Sequence, residues 1–303
     1  MESVSQISSE SVNEILSLAK LYKERNTNNE SLKGKIIALI FFEPSTRTSL
    51  SFECAIDRLG AKCIKYNMEN SSTLKGENIL DTIKTIEYYA DVLIIRHSDV
   101  DIFSKIRNII KKPIINAGNG MGEHPSQSLL DLFTILTYYP EYPNNVAFVG
   151  GINYCRTVNS LILLLQKMTH KMNFYFICND KNSLLSTNQI DFYKKDIEKS
   201  NKINYQFNYY NIDNIDDKCP DNIDVLYVTR LQKERFNYDI DKNSIIVNSN
   251  FIKNTKKNMI ILHPFPRNQE LSKDLDNNVK SKYFEQIENG IYVRMAILTI
   301  LFN

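Results

Sequence analysis

Three hydroxyls and a guanidinium stand in one run, Ser45-Thr46-Arg47-Thr48, just after the apolar stretch Lys35 to Phe41 and the pair Glu43-Pro44. At the start of a helix these groups, the free backbone N–H groups and the positive end of the helix dipole would converge on one anion, most naturally a phosphate. The same residues also read as a helix cap with a surface arginine, since Ser and Thr are favoured caps. The chain contains no GxxxxGK[ST], so this is not a Walker P-loop.

Other candidates lie further along. Arg96-His97 follows the apolar Asp91 to Ile95, and the arginine suits either an anion or an interdomain ion pair. Ala117-Gly-Asn-Gly-Met-Gly122 leads into Glu123-His-Pro-Ser-Gln127, where His124 and Gln127 are spaced to share a helix-turn face. One could polarise a carbonyl while the other orients an amine; a structural hydrogen-bond role for the histidine is the alternative. Arg156 opens a helix after Gly150-Gly151, and Arg230 and Gln232 follow Val225 to Val228. Two guanidinium forks suit a dicarboxylate, or else acids such as Glu43. Leu262-His-Pro-Phe-Pro-Arg267 is a stiff loop whose carbonyls could accept from an NH2 group, or a rigid connector.

The elements that must position these groups alternate. Lys35–Phe41, Cys63–Tyr66, Asp91–Ile95 and Pro113–Ile115 read as strands. Between them, Phe52/Ala55/Ile56/Leu59, Ile79/Ile83/Ile86/Ala90 and the segment 102–110 read as helices, and Leu129/Leu132/Phe133/Leu136 as a helix after them. Tyr138 to Asn145, with two prolines and two asparagines, breaks the pattern and marks a domain boundary. A second round follows: strand Val146–Gly150, helix 157–168, strands at 174–178, 224–228, 245–247 and 259–262, and a closing apolar helix Ile291–Phe302. Within the polar segment 179–222 only a helix near 189–199 is read, and the Asn-Ile-Asp repetition near 211–216 reads as compositional bias. The fold class is α/β, with parallel sheets flanked by helices.

Composition narrows the chemistry. With 37 basic and 35 acidic residues among 303, a broad nucleic-acid surface is not expected. No apolar run reaches membrane-spanning length and residues 1–10 lack a signal-peptide core, so a cytoplasmic location is expected. Five cysteines without a CxxC pair and four scattered histidines without HExxH support neither a disulfide framework nor a metal site. With no catalytic triad order and no activated thiol, the inventory is donors without a nucleophile. That suits a reaction in which one substrate attacks another while the protein positions both and stabilises charge.

Taken in order, FFEPSTRTS, SSTLKGE, IIRHS, GEHPSQSLLD, CRTVNS, VTRLQKER and ILHPFPR resemble the catalytic chain of the aspartate carbamoyltransferase family over nearly the full length. The resemblance implies two doubly wound parallel-sheet domains. One, for carbamoyl phosphate, comprises 1–138 plus 289–303; the other, for aspartate, comprises 139–288, and the C-terminal helix returns to the first. By motif, it implies that Ser45, Thr46, Arg47 and Thr48 hold the phosphate. Arg96, His124 and Thr48 bind the carbamoyl oxygen, while Gln127 and the carbonyls of Phe265 and Pro266 hold the NH2. Arg156, Arg230 and Gln232 bind aspartate. Lys75, with Ser71, belongs to a loop that enters the neighbouring subunit's site, and Glu43 would link to Arg156 and Arg235 in a closed state. The implied partners are carbamoyl phosphate and L-aspartate in a homotrimer, with or without regulatory chains; no cofactor is implied, and the pathway is pyrimidine synthesis. Ser49, Gly151 and Cys155 depart from the family's usual Arg, acidic residue and Gly. The rivals are an ornithine transcarbamylase, whose HCLP and SMG segments are replaced here by His263-Pro-Phe-Pro266 and Thr229-Arg-Leu-Gln232, and a non-catalytic homologue. A Rossmann oxidoreductase fits less well, for want of the glycine fingerprint.

Overall fold

The computed structural model describes residues 1–25, 29–66, 76–153, 155–178, 186–199, 204–211, 218–230 and 245–302. The chain divides into two compact units, Met1–Leu130 with Glu288–Asn303, and Asp131–Ile287.

The first unit carries a four-stranded sheet of β1 (Ile36–Phe41), β2 (Lys62–Tyr66), β3 (Val92–His97) and β4 (Ile114–Asn119), in the order β2-β1-β3-β4. Every pairing is parallel, with Ile37 opposite Cys63 and Val92, and Leu93 opposite Ile114. A parallel sheet needs helical crossovers, which cover both its faces; hence the near-continuous Ile/Leu runs. Ala38, Ile40, Leu93 and Ile95 pack with Ile83, Ile102, Phe103 and Ile106 from α3 (Ile79–Glu87) and α4 (Ile102–Ile106). Ile37, Leu39, Val92 and Ile94, on the opposite face, are equally buried. The other helices of this unit are α1 (Ser9–Arg25), α2 (Thr46–Arg58) and the first part of α5 (Pro125–Tyr138).

The second unit carries five parallel strands: β5 (Asn145–Gly150), β6 (Lys171–Cys178), β7 (Asn204–Asn211), β8 (Val225–Thr229) and β9 (Ile260–Leu262), in the order β7-β6-β5-β8-β9. One face packs Ala147, Val149, Ile177, Leu226 and Ile261 against Phe251, Leu271 and Tyr283. The opposite face is aromatic, with Phe176 stacked between Phe148 at 5.8 Å and Phe207 at 6.1 Å. Helices α6 (Arg156–Met168) and α7 (Thr187–Lys199) belong to this unit, joined by Tyr193 Oη donating to Asn159 Oδ1 at 2.6 Å. The C-terminal α8 (Tyr283–Phe302) packs on the first unit, where Tyr22 and Thr299 share a hydrogen bond of 2.9 Å and Arg294 lies over the Phe52 ring.

The α/β class with two parallel sheets is as the sequence indicated, but several elements differ. Arg96 and His97 do not follow β3; they are its last residues, because pairing with β1 continues to Phe41 opposite Arg96. β4 likewise runs on through Ala117-Gly-Asn119. Residues 245–247 form no strand, only an isolated bridge from Val247 to Leu271. β7 and α1 were not foreseen. The repetition near 211–216 lies, apart from Asn211, outside the described residues. Among the described residues no helix is long and apolar enough to cross a membrane.

Candidate active site

In a parallel sheet all C-terminal strand ends share one edge, so the sequence motifs that follow adjacent strands are gathered without further design. In the first unit β1, β3 and β4 are neighbours, and Ser45–Thr48, Arg96 and His124 follow or end them.

Ser45 is the N-cap of α2, but its side chain makes no cap hydrogen bond. The hydroxyl is therefore not committed to the helix it precedes. Thr46 and Arg47 are exposed in the first turn, and Thr48 is buried. Thr48 Oγ1 lies 3.5 Å from His124 Nε2, and Ser126 Oγ lies 3.4 Å from the ring's Nδ1. Arg96 donates through Nη1 to the Ala117 carbonyl at 3.2 Å, and its Nε is 3.4 Å from the Glu43 carboxylate. The anion-ligand and ion-pair readings of Arg96 thus meet in one side chain, steadied by Glu43 and Ala117. His97 is a structural partner: its Nδ1 accepts from the Asp99 N–H at 2.8 Å, its ring lies against Phe42, and burial holds its pKa below the ordinary value.

His124 is delivered by a locked loop. Asn116 accepts from the Gly118 N–H at 2.7 Å and donates to Asn119 Oδ1 at 3.0 Å; Asn119 in turn donates to the Val100 carbonyl and accepts from the Glu123 N–H. Gly120 has φ +49°, and a side chain there would collide with the Ser98 carbonyl. The Glu123 carboxylate accepts from Ser3 Oγ and the Val4 N–H, both at 2.7 Å, tying the loop to the N-terminal segment. Gln127, 9% exposed, sits in the first turn of α5, and its N–H donates to the His124 carbonyl at 2.9 Å.

In the second unit β5, β8 and β9 are neighbours, and Arg156, Arg230 and the Pro264–Arg267 loop follow them. Gly150 ends β5 at φ +104°, where a Cβ would run into the Thr229 carbonyl, so the chain can turn only with glycine. Arg156 is the first residue of α6 and is buried. Cys155 is its N-cap, and the Cys155 thiol lies 3.1 Å from Thr157 Oγ1, turned along the helix start. Phe265 has φ +54° and precedes a cis Pro266. Arg267 is paired with Asp276, whose pKa falls to about 2 through the Arg267 hydrogen bonds and a further bond from Tyr283.

Ser71, Lys75, Gln232 and Arg235 lie outside the described residues. Of the departures, Ser49 donates to Glu53 at 2.8 Å, and Glu53 also pairs with Lys65. Burial lifts the thiols of Cys63 to about 11 and Cys219 to about 12. Among the described residues no three His, Cys, Asp or Glu side chains form a metal-holding group.

Residues 1–137 match the family model described as aspartate/ornithine carbamoyltransferase, carbamoyl-P binding domain, and residues 144–301 match the accompanying Asp/Orn binding domain. The chain belongs to the aspartate/ornithine carbamoyltransferase family. Within this carbamoyltransferase family it is 40% identical over 305 residues to the aspartate carbamoyltransferase catalytic subunit of Methanocaldococcus jannaschii, covering 98% of this chain and 95% of that one. It is also 40% identical over 291 residues to the multifunctional protein pyr1-3 of Dictyostelium discoideum, covering 94% of this chain but only 12% of that much longer protein. The structure of the carbamoyltransferase from Trypanosoma cruzi, an aspartate transcarbamoylase in complex with carbamoyl phosphate and aspartate, superposes with a TM-score of 0.90 at 32% identity, covering 99% of this chain and 95% of that one.

Proposed function

We propose that the protein transfers the carbamoyl group of carbamoyl phosphate to the α-amine of L-aspartate, giving N-carbamoyl-L-aspartate and phosphate, an early step of pyrimidine synthesis. The observation that carries this reading is the meeting of Thr48 with His124 at 3.5 Å beside an Arg96 that ends the adjacent strand. Three donors of this kind suit an oxygen on which negative charge develops.

In this reading residues 1–138 plus 289–303 form the carbamoyl-phosphate domain and residues 139–288 the aspartate domain. The hydroxyls and N–H groups of Ser45–Thr48, with the Arg47 guanidinium and the α2 dipole, take the phosphate. Thr48, Arg96 and His124 take the carbamoyl oxygen; Gln127 and the carbonyls of Phe265 and Pro266 take the NH2. Arg156, Arg230 and Gln232 hold the two carboxylates of aspartate. The neutral amine attacks the carbamoyl carbon, a tetrahedral oxyanion forms against the three donors, and phosphate leaves, accepting the amine's proton. Lys75 and Ser71 are supplied by a neighbouring copy in a homotrimer, with or without regulatory chains, and the location is cytoplasmic. Arginines suit a second carboxylate and would repel the ammonium of ornithine.

Colorimetric detection of ureido product tests the reading, with carbamoyl phosphate supplied beside L-aspartate and, separately, L-ornithine. Product with aspartate alone is expected. Product with ornithine alone overturns the choice of amine, and product from neither overturns the activity.

A further inference from the structure

We propose that His263 is a positioning residue, held in one tautomer and one place so that the Pro264–Pro266 loop presents its carbonyls to an NH2 group. This rests on the carbamoyltransferase reading above. His263 is 1% exposed and lies between β9 and that loop. Its Nδ1 accepts from the Phe265 N–H at 2.8 Å, so Nδ1 carries no proton. Nε2 must therefore carry it and donate to Glu270 Oε1, 2.9 Å away. Glu270 is buried, and its carboxylate also accepts from the Asn268 N–H at 2.9 Å. Burial, the largest influence, pushes the Glu270 pKa up, but these hydrogen bonds outweigh it and hold the group below its usual value. The opposite tautomer would set two donors face to face at Nδ1 and release the Phe265 backbone.

The backbone of His263 is fixed as firmly as its ring. Its N–H donates to Gln286 Oε1 at 2.9 Å, and Gln286 Nε2 donates to Asp131 Oδ1 at 2.6 Å. Asp131 is fully buried and accepts on its other oxygen from Tyr227 Oη at 2.8 Å. Since a carboxylate accepts only, the Gln286 amide has one orientation, with its oxygen toward His263. Burial raises the Tyr227 pKa well above 10, so the phenol stays a donor. Buried polar groups this fully partnered are costly to move, and fix the loop more tightly than apolar packing would. Both sides of the loop are thereby anchored: before it by Gln286, and after it by Glu270 through Asn268.

The test uses discrimination between carbamoyl phosphate and acetyl phosphate, which differ by NH2 against CH3, with affinities read by titration calorimetry. The wild type is expected to favour carbamoyl phosphate by about tenfold, the worth of one good hydrogen bond. His263→Leu alone strands the Glu270 carboxylate, so the informative variant is His263→Leu with Glu270→Gln. It is expected to bring the ratio below about twofold while acetyl phosphate affinity stays unchanged. His263→Asn with Glu270→Gln restores an acceptor two residues before Phe265 and should recover most of the ratio. Loss of both affinities together, or an intact ratio in the leucine variant, overturns the proposal. Equal wild-type affinities overturn it while leaving transferase turnover standing; wild type binding neither acyl phosphate removes the functional reading and this proposal with it. Independently of any variant, long-range ¹H–¹⁵N spectra of histidine-labelled protein should show one imidazole in the Nε2–H tautomer, and an Nδ1–H form at His263 overturns the assignment.

Discussion

Thr48→Val separates catalysis from stability more cleanly than any other change at this site. The substitution keeps the β-branched shape and changes helix propensity little. Because Thr48 is 7% exposed, the new methyl occupies space the hydroxyl already filled. What disappears is one Oγ1 contact at 3.5 Å to His124, at the long limit for a hydrogen bond and worth no more than about 0.5–1 kcal/mol to the fold. For a chain this size that is a Tm shift of roughly 1–4 °C. Loss of an oxyanion donor, by contrast, costs about 10²–10³ in turnover, or roughly 3–4 kcal/mol of transition-state binding. The expected result is a kcat two to three orders down (~10²–10³) with Tm nearly unchanged. Ureido-product colorimetry gives kcat, and differential scanning calorimetry gives Tm. A kcat within about threefold of wild type would refute the oxyanion role of this hydroxyl.

Further tests address the second unit, acid stability and the thiols. Arg156→Ala should raise the KM for aspartate by at least about tenfold while leaving carbamoyl phosphate affinity, measured calorimetrically, unchanged. Cys155→Gly should alter that KM by less than about threefold, because the thiol is turned to Thr157 rather than left to displace Arg156; a larger change in steady-state kinetics contradicts this. The folded-state pKa of Asp276 is depressed to about 2 from 3.8, so its pairing stabilises the fold above pH 3.8 and is lost as pH falls through about 2. Asp276→Asn should accordingly flatten the acid-unfolding curve between those values when followed by circular dichroism. Cys63 and Cys219 should resist iodoacetamide at pH 7.5, as mass spectrometry would show, since burial keeps both protonated.

Strands that are apolar on both faces announced themselves, because a parallel sheet leaves no room for polar alternation, and β1, β3, β5 and β8 needed nothing else. β7 was hidden by composition. Asn-Tyr-Gln-Phe-Asn-Tyr-Tyr-Asn looks like loop, yet Tyr205, Phe207 and Tyr209 recur at every second residue and lie against Phe174 and Phe176. That period of two was the available signal. α1 was likewise legible from Val12, Ile15, Leu16, Ala19 and Tyr22, the spacing of one helical face. The site motifs were legible because they are local runs behind strands. Partnerships formed across long stretches of sequence were not: nothing in the sequence joins Glu123 to Ser3 or Gln286 to Asp131. These are products of the tertiary fold and become visible only in it.

The return of the last residues to the first unit has a consequence for synthesis on the ribosome. The second unit is one continuous segment, Asp131–Ile287, whereas the first is split between Met1–Leu130 and Glu288–Asn303. Chains emerge from the amino end and tend to fold as they appear. Here the segment made first must wait longest: Val293, Ala296 and Leu298, all buried, and Thr299, the partner of Tyr22, are translated at the very end. The second unit can complete its sheet while the first still exposes unfinished apolar surface. A nascent chain stalled near residue 287 should therefore recruit chaperones through its amino-terminal half.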